Sequence, residues 1–137
     1  MDVTPAQLDA WVVSVFPSAL DSGHGCESLG DGEATVRWRH DDGLLRPGGY
    51  ISGPIQFQAA DLALWYAVFT VIGIEPMAVT TDLHLTFLRP AVGGDLLATA
   101  RILRTGRTRV HGTVDLWVDG APDRLVSHAT GAYHRPR

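Results

Sequence analysis

Lysine is missing altogether. All 11 basic residues are arginine, set against 15 acidic ones, and the formal net charge is -4. No basic block exists to grip a nucleic-acid backbone, so nucleic acid is not an expected partner. Cysteine is almost missing too: Cys26 stands alone, so no intrachain disulfide can form and nothing points to an oxidising compartment. No Cys-His signature surrounds Cys26, which reads as a small, half-buried hydrophobe. Long hydrophobic runs are lacking as well. The longest, Leu62 to Ile74, is interrupted by Thr70 and Gly73 and falls short of the roughly 20 residues a bilayer requires. The opening Met1-Asp2-Val3-Thr4-Pro5 places an acid and a proline where a secretory leader has basic residues. The expectation is a cytoplasmic protein with no membrane partner. The histidines His24, His40, His84, His111, His128 and His134 form no metal-spaced pair on a helix, so no metal site is expected.

What remains is an ordinary globular composition, 45% hydrophobic and 19% charged over 137 residues, which suits one domain spanning residues 1–137. Thr4-Pro5 has the form of a helix start, and Leu8, Trp11, Val12 and Val15 follow at helical spacing up to Pro17. Residues 18–32 are rich in Ser, Gly and Asp and read as loop or irregular edge. Ala34, Val36 and Trp38 alternate with polar residues as a strand does. After a turn-rich stretch from His40 to Ile51, Ser52-Gly53-Pro54 opens a second helix, with Ser52 as N-cap, running to about Ile72 and stopped by Gly73. That helix is apolar on nearly every side and is expected to be buried all round. Four strands follow: Val79 to Phe87, Leu96 to Leu103, Thr108 to Val118 and Leu125 to Tyr133. In the first, Val79, Thr81, Leu83, Leu85 and Phe87 are assigned to one face, with Thr80, Asp82, His84 and Thr86 on the other. A buried helix among antiparallel strands implies an α+β protein, a curved antiparallel sheet wrapped around a long central helix.

One residue breaks the pattern. Asp61 is the only charged residue between Gly53 and Ile74. A carboxylate inside an apolar helix is unfavourable unless it is paired or wet, and such violations gather at functional sites. It is either a general base or a structural Asp held by N–H groups or an arginine. A second feature is the helix start. Its first N–H groups lack partners and carry partial positive charge, and Gly53 lets a substrate approach closely. An oxyanion could be received there; alternatively, the triplet is only a tight start to a helix. Gly53 and Asp61 lie eight positions apart, about 12 Å along one helix, too far to serve one carbonyl. Two antiparallel copies of the helix bring Gly53 of one chain to Asp61 of the other, so a twofold homodimer is expected, with a dimer of dimers as the next level.

The combination resembles the hotdog-fold acyl-CoA thioesterases of the PaaI type. Ser52-Gly53-Pro54 falls at that family's His-Gly-Gly motif and Asp61 at its helix acid. Val79 to Ala91, ending Arg89-Pro90-Ala91, looks like the family's next strand, and Val126 to Tyr133 like its closing strand. The resemblance implies a hotdog fold and hydrolysis of an acyl-CoA thioester to free acid and coenzyme A. No cofactor is implied, coenzyme A being part of the substrate. Asp61 would activate water or attack the thioester itself, Gly53 would supply the oxyanion N–H, and Thr80 would position the water. Two positions depart from the family. Its His is Ser52 here, and an Asn or Gln of the preceding loop is Arg46; both replacements donate hydrogen bonds. Pro54 neighbours the oxyanion glycine, and Trp65 could line the acyl tunnel. A non-catalytic acyl-CoA-binding module is the alternative; a hydratase is disfavoured by the missing His.

Overall fold

The computed structural model describes residues 1–137. Its elements in chain order are α1 (Pro5–Val15), β1 (His24–Gly30), β2 (Glu33–Trp38), a 3-10 turn (Asp42–Leu44), β3 (Leu45–Arg46), β4 (Tyr50–Ile51), α2 (Gly53–Ile72), β5 (Val79–Phe87), β6 (Leu96–Thr105), β7 (Arg109–Val118) and β8 (Ser127–His134). Six strands form one sheet in the order β1-β2-β6-β7-β8-β5, and every neighbouring pair is antiparallel. The long α2 packs against its concave face. This is the hotdog fold.

Capping chemistry sets both helix starts. Thr4 and Gln7 form a reciprocal capping box on α1, and the Ser52 hydroxyl accepts the Ile55 N–H on α2. Gly73, at φ 89°, ends α2 in a conformation that favours glycine. Residues 24–30, expected to be irregular, form β1, because the ladder to β2 satisfies their backbone despite a sequence poor in β-formers. The stretch from His40 to Ile51 contains a miniature hairpin, β3 against β4.

The core draws on both layers: Leu64, Tyr66 and Phe69 of α2 meet Trp38, Val36, Leu96, Val110, Val114 and Leu116 of the sheet, all fully buried. The helix can sit close because Gly112 and Gly131 are paired across β7 and β8 directly beneath Leu64. A Cβ on Gly112 would lie 2.7 Å from Leu64 Cδ1, and one on Gly131 would lie 3.2 Å from Leu64 Cδ2 and 2.7 Å from the Asp82 carbonyl oxygen. Bulges in β1, β5 and β6 bend the strands around the helix.

Asp9 fastens α1 to this layer. Its two carboxylate oxygens accept the Cys26 N–H at 3.1 and 2.9 Å, and Oδ1 also accepts the Tyr66 hydroxyl at 2.9 Å. Burial, with Asp9 beside it, pushes the Cys26 thiol up to about 12, so it is a structural and unreactive residue. Buried His24 faces the Ile55 carbonyl oxygen at 3.2 Å in the first turn of α2, and burial holds its pKa below the usual range.

The burial of α2 is not complete. Pro54, Phe57, Gln58, Asp61 and Trp65 form a stripe that stays partly or fully exposed, which corrects the expectation of an all-round buried helix. The helix is long and apolar enough to cross a bilayer, but its packing is that of a core helix. Replacing Gly131 with Ala should destabilise the protein by about 1–3 kcal/mol through overpacking. Chemical denaturation measures this, and an unchanged midpoint would contradict the close seat of α2 on its glycines.

Candidate active site

The exposed stripe of α2 carries the candidate chemistry. Asp61 projects from its middle, half-buried, and its Oδ1 accepts two hydroxyls: Thr80 Oγ1 at 2.8 Å and Tyr133 Oη at 2.5 Å. The Tyr133 hydroxyl also lies 3.0 Å from the Asp61 carbonyl oxygen. Both donors converge on one oxygen, so the carboxylate plane is fixed while Oδ2 has no protein partner. Tyr133 keeps its proton: burial, then the charge of Asp61 and its hydrogen bond, push the phenol well above its ordinary value.

Thr80 reaches Asp61 because β5 is bulged. Thr80 pairs with Tyr133 and Asp82 with Ala132, leaving Thr81 as the extra residue. Strict alternation from Val79 puts Thr80 on the face of Asp82 and His84. The bulge reverses the phase, and Thr80 shares the helix-facing side with Leu83 and Leu85, which pair with Gly131 and Ala129. The sequence-based face of Thr80 is therefore corrected. His84 stays exposed, 3.3 Å from the Thr86 hydroxyl, and His128 is held by Asp115 at 2.8 Å.

Beside Asp61 lies an open cavity of about 240 Å³, walled by Phe16, Ala19, Gln58, Leu62, Trp65 and Tyr133. Gln58 Nε2 donates to the Ala19 carbonyl oxygen at 3.2 Å and so pins the segment after α1 across the cavity. Trp65 packs on Phe69 with ring centroids 4.9 Å apart. Gly53 lines two other open depressions. One, of about 460 Å³, is shared with Arg46, Gln56, Phe87 and Arg89. The other, of about 570 Å³, is shared with Pro54, Phe57, His84 and Phe87. Phe87 stands against Gly53, where a Cβ would come within 3.2 Å of its Cζ.

The chain thus brings Asp61, Thr80 and Trp65 together at one place and Gly53, Pro54 and Arg46 at another. None of these cavities contains both Gly53 and Asp61, which lie eight positions apart along α2. Ser52 lines none of these cavities; its hydroxyl accepts the Ile55 N–H at 3.3 Å. Sequence reasoning missed Tyr133. The available signal was a large phenol in phase with the small residues Ser127, Ala129 and Gly131 of the same strand, at a position whose partner across the ladder is Thr80.

Comparison with known proteins agrees with this architecture. A family model described as the thioesterase superfamily matches residues 48–123. A crystal structure of a thioesterase-named protein from Silicibacter sp. superposes with a TM-score of 0.88 at 35% identity, covering 100% of this chain and 94% of that one. The phenylacetic acid degradation protein PaaI from Thermus thermophilus gives a TM-score of 0.75 at 25% identity, covering 88% of this chain and 99% of that one. An esterase-named protein of Saccharolobus solfataricus is 29% identical over 107 residues, 78% of this chain and 69% of the relative.

Removing either donor to Asp61, by Tyr133→Phe or Thr80→Val, should lower stability by about 1 kcal/mol. Because the two share one acceptor oxygen, the double variant should depart from additivity. Equilibrium unfolding of the single and double variants measures both quantities, and strict additivity would contradict a shared clamp.

Proposed function

Since the chain belongs to the thioesterase superfamily, we propose that this hydrolase cleaves acyl-CoA thioesters in the cytoplasm, at two equivalent sites formed between paired copies of itself. The observation that carries the reading is the Asp61 carboxylate: clamped at Oδ1 by Thr80 and Tyr133, unpartnered at Oδ2, and set on the open stripe of a core helix beside a cavity.

In the proposed reaction Asp61 Oδ2 takes a proton from a water molecule as the water oxygen adds to the thioester carbon. The carbonyl oxygen gains negative charge and is received by the Gly53 N–H at the start of the second copy's α2, where the helix dipole adds to the hydrogen bond. The tetrahedral intermediate then expels the thiolate, which takes the proton back from Asp61 to leave as the free thiol, and the acid is released. Thr80 holds the base in place. The Trp65-walled cavity receives the acyl group, and Ser52 and Pro54 shape the start of the helix next to the carbonyl.

Pairing of two copies is supported by the surfaces left uncovered. β5 is an edge strand with one side of its ladder unpaired, a feature monomers normally protect. Around it and the α2 stripe, Phe57 is 42%, Phe87 56% and Leu88 51% exposed. A twofold contact across this face buries these residues and lays the two α2 helices antiparallel, so each Gly53 approaches the opposite Asp61.

Asp61→Asn preserves shape and removes the base. It should lower release of free thiol from acyl-CoA by at least about a thousandfold while the dimer persists in sedimentation. Retained turnover removes Asp61 from the mechanism. Saturable acyl-CoA binding by the unmodified protein without any thiol release would identify a binding module instead.

A further inference from the structure

The arginines divide into paired and unpaired ones. Arg37 meets Glu27, Asp95 and Asp119, with N–O distances of 2.5, 3.0 and 2.9 Å. Arg101 lies 3.5 Å from both Glu33 and Asp115. Arg104, Arg107 and Arg109 sit on the hairpin between β6 and β7 and line none of the cavities described above. Arg46 and Arg89 differ from all of these: neither has an ion pair, yet both line the same cavity of about 460 Å³ at the start of α2.

Their place on one cavity is built into the backbone. Gly48 and Gly49, at φ 93° and 78°, fold β3 back on β4 and set Arg46 opposite Tyr50. The Ile51 N–H then donates to the Ala91 carbonyl oxygen at 2.8 Å, which fastens this hairpin to Arg89-Pro90-Ala91. On the other side, the Leu88 and Arg89 N–H groups share the Val126 carbonyl oxygen at 2.9 and 3.3 Å. Arg46 and Arg89 thus line, from fixed main chain, one cavity whose lining includes no Asp or Glu, in a protein with a net charge of -4. Like charges brought together repel unless an anion joins them, and the positive end of α2 points the same way.

We propose that Arg46 and Arg89 form a two-guanidinium site for an anionic group carried by the substrate, and so select thioesters bearing one. The inference rests on reading Gly53 as the receiver of the thioester carbonyl, since the same cavity borders that glycine. The chemistry recognised is a cluster of two or more charged oxygens, which guanidinium forks match in shape and charge. Such a cluster is present both in the phosphates of the thiol carrier and in a carboxylate on the acyl chain.

Binding of thioether analogues separates these sources and does not depend on turnover. S-hexyl-CoA, S-(3-carboxypropyl)-CoA and S-hexyl-pantetheine, the last without phosphates, are titrated calorimetrically into wild type, Arg46→Gln, Arg89→Gln and the double variant. The double variant should lose about 10- to 100-fold in affinity for ligands carrying the recognised anion, with each single variant losing part of that. The loss should shrink as salt rises. A loss for both CoA ligands, with S-hexyl-pantetheine unaffected, identifies the carrier phosphates; a loss confined to the carboxypropyl ligand identifies the acyl carboxylate. Equal losses for all three ligands, no loss for any, or no binding to wild type overturns the proposal. Failure of thioester hydrolysis would appear separately, as absent thiol release with this binding pattern intact.

Discussion

The site depends on a carboxylate held by two hydroxyls. Asp61 sits in a helix that otherwise contributes the centre of an apolar core, and it is tolerated because α2 keeps one narrow stripe open. On that stripe the carboxylate receives Thr80 and Tyr133 on one oxygen and exposes the other. Both donors come from the sheet, so the acid is fixed by tertiary structure and not by its own helix. Two neutral hydroxyls orient it, which is what distinguishes this clamp from an ion pair.

Several features of the fold serve that geometry. The bulge in β5 turns Thr80 toward the helix; without it the strand would present Thr81 there, in phase with Leu83 and Leu85. The paired glycines of β7 and β8 let α2 settle close enough for the Tyr133 hydroxyl to reach both the side chain and the main chain of Asp61. Gln58, one turn before Asp61, ties down the segment that closes the neighbouring cavity. At the far end of the same stripe, the Arg46 hairpin and the Arg89-Pro90-Ala91 segment are joined by a backbone hydrogen bond around the start of α2. One helix stripe thus carries a carboxylate at its centre and an N–H-bearing, positive start.

Much of this was legible in the sequence because it rests on local rules. The N-caps Thr4 and Ser52, the stop at Gly73 and the bounds of β5 follow from capping and alternation. Asp61 is conspicuous as a lone charge in an apolar helix. What was not legible depends on contacts distant in sequence. β1 is a strand because β2 pairs with it. The face of Thr80 depends on a bulge that no residue type announces. Tyr133 is 72 positions from Asp61, and Arg46 and Arg89 come to line one cavity only after α2 and β5 have placed the chain. The full burial expected of α2 failed on its outer stripe because periodicity records how apolar a helix is, not which of its faces the same chain covers.

Mixing two disabled chains tests most directly whether the halves belong to different copies. One chain carries Asp61→Asn; the other carries Gly53→Pro, which removes the N–H at a position where a helix start tolerates proline. Each alone should release almost no thiol. Refolded together in equal amounts they should recover about a quarter of the wild-type rate, since half the dimers are mixed and each has one intact site. No recovery from mixed dimers that demonstrably form, or full activity of the Gly53→Pro chain by itself, would contradict a site shared across the twofold axis.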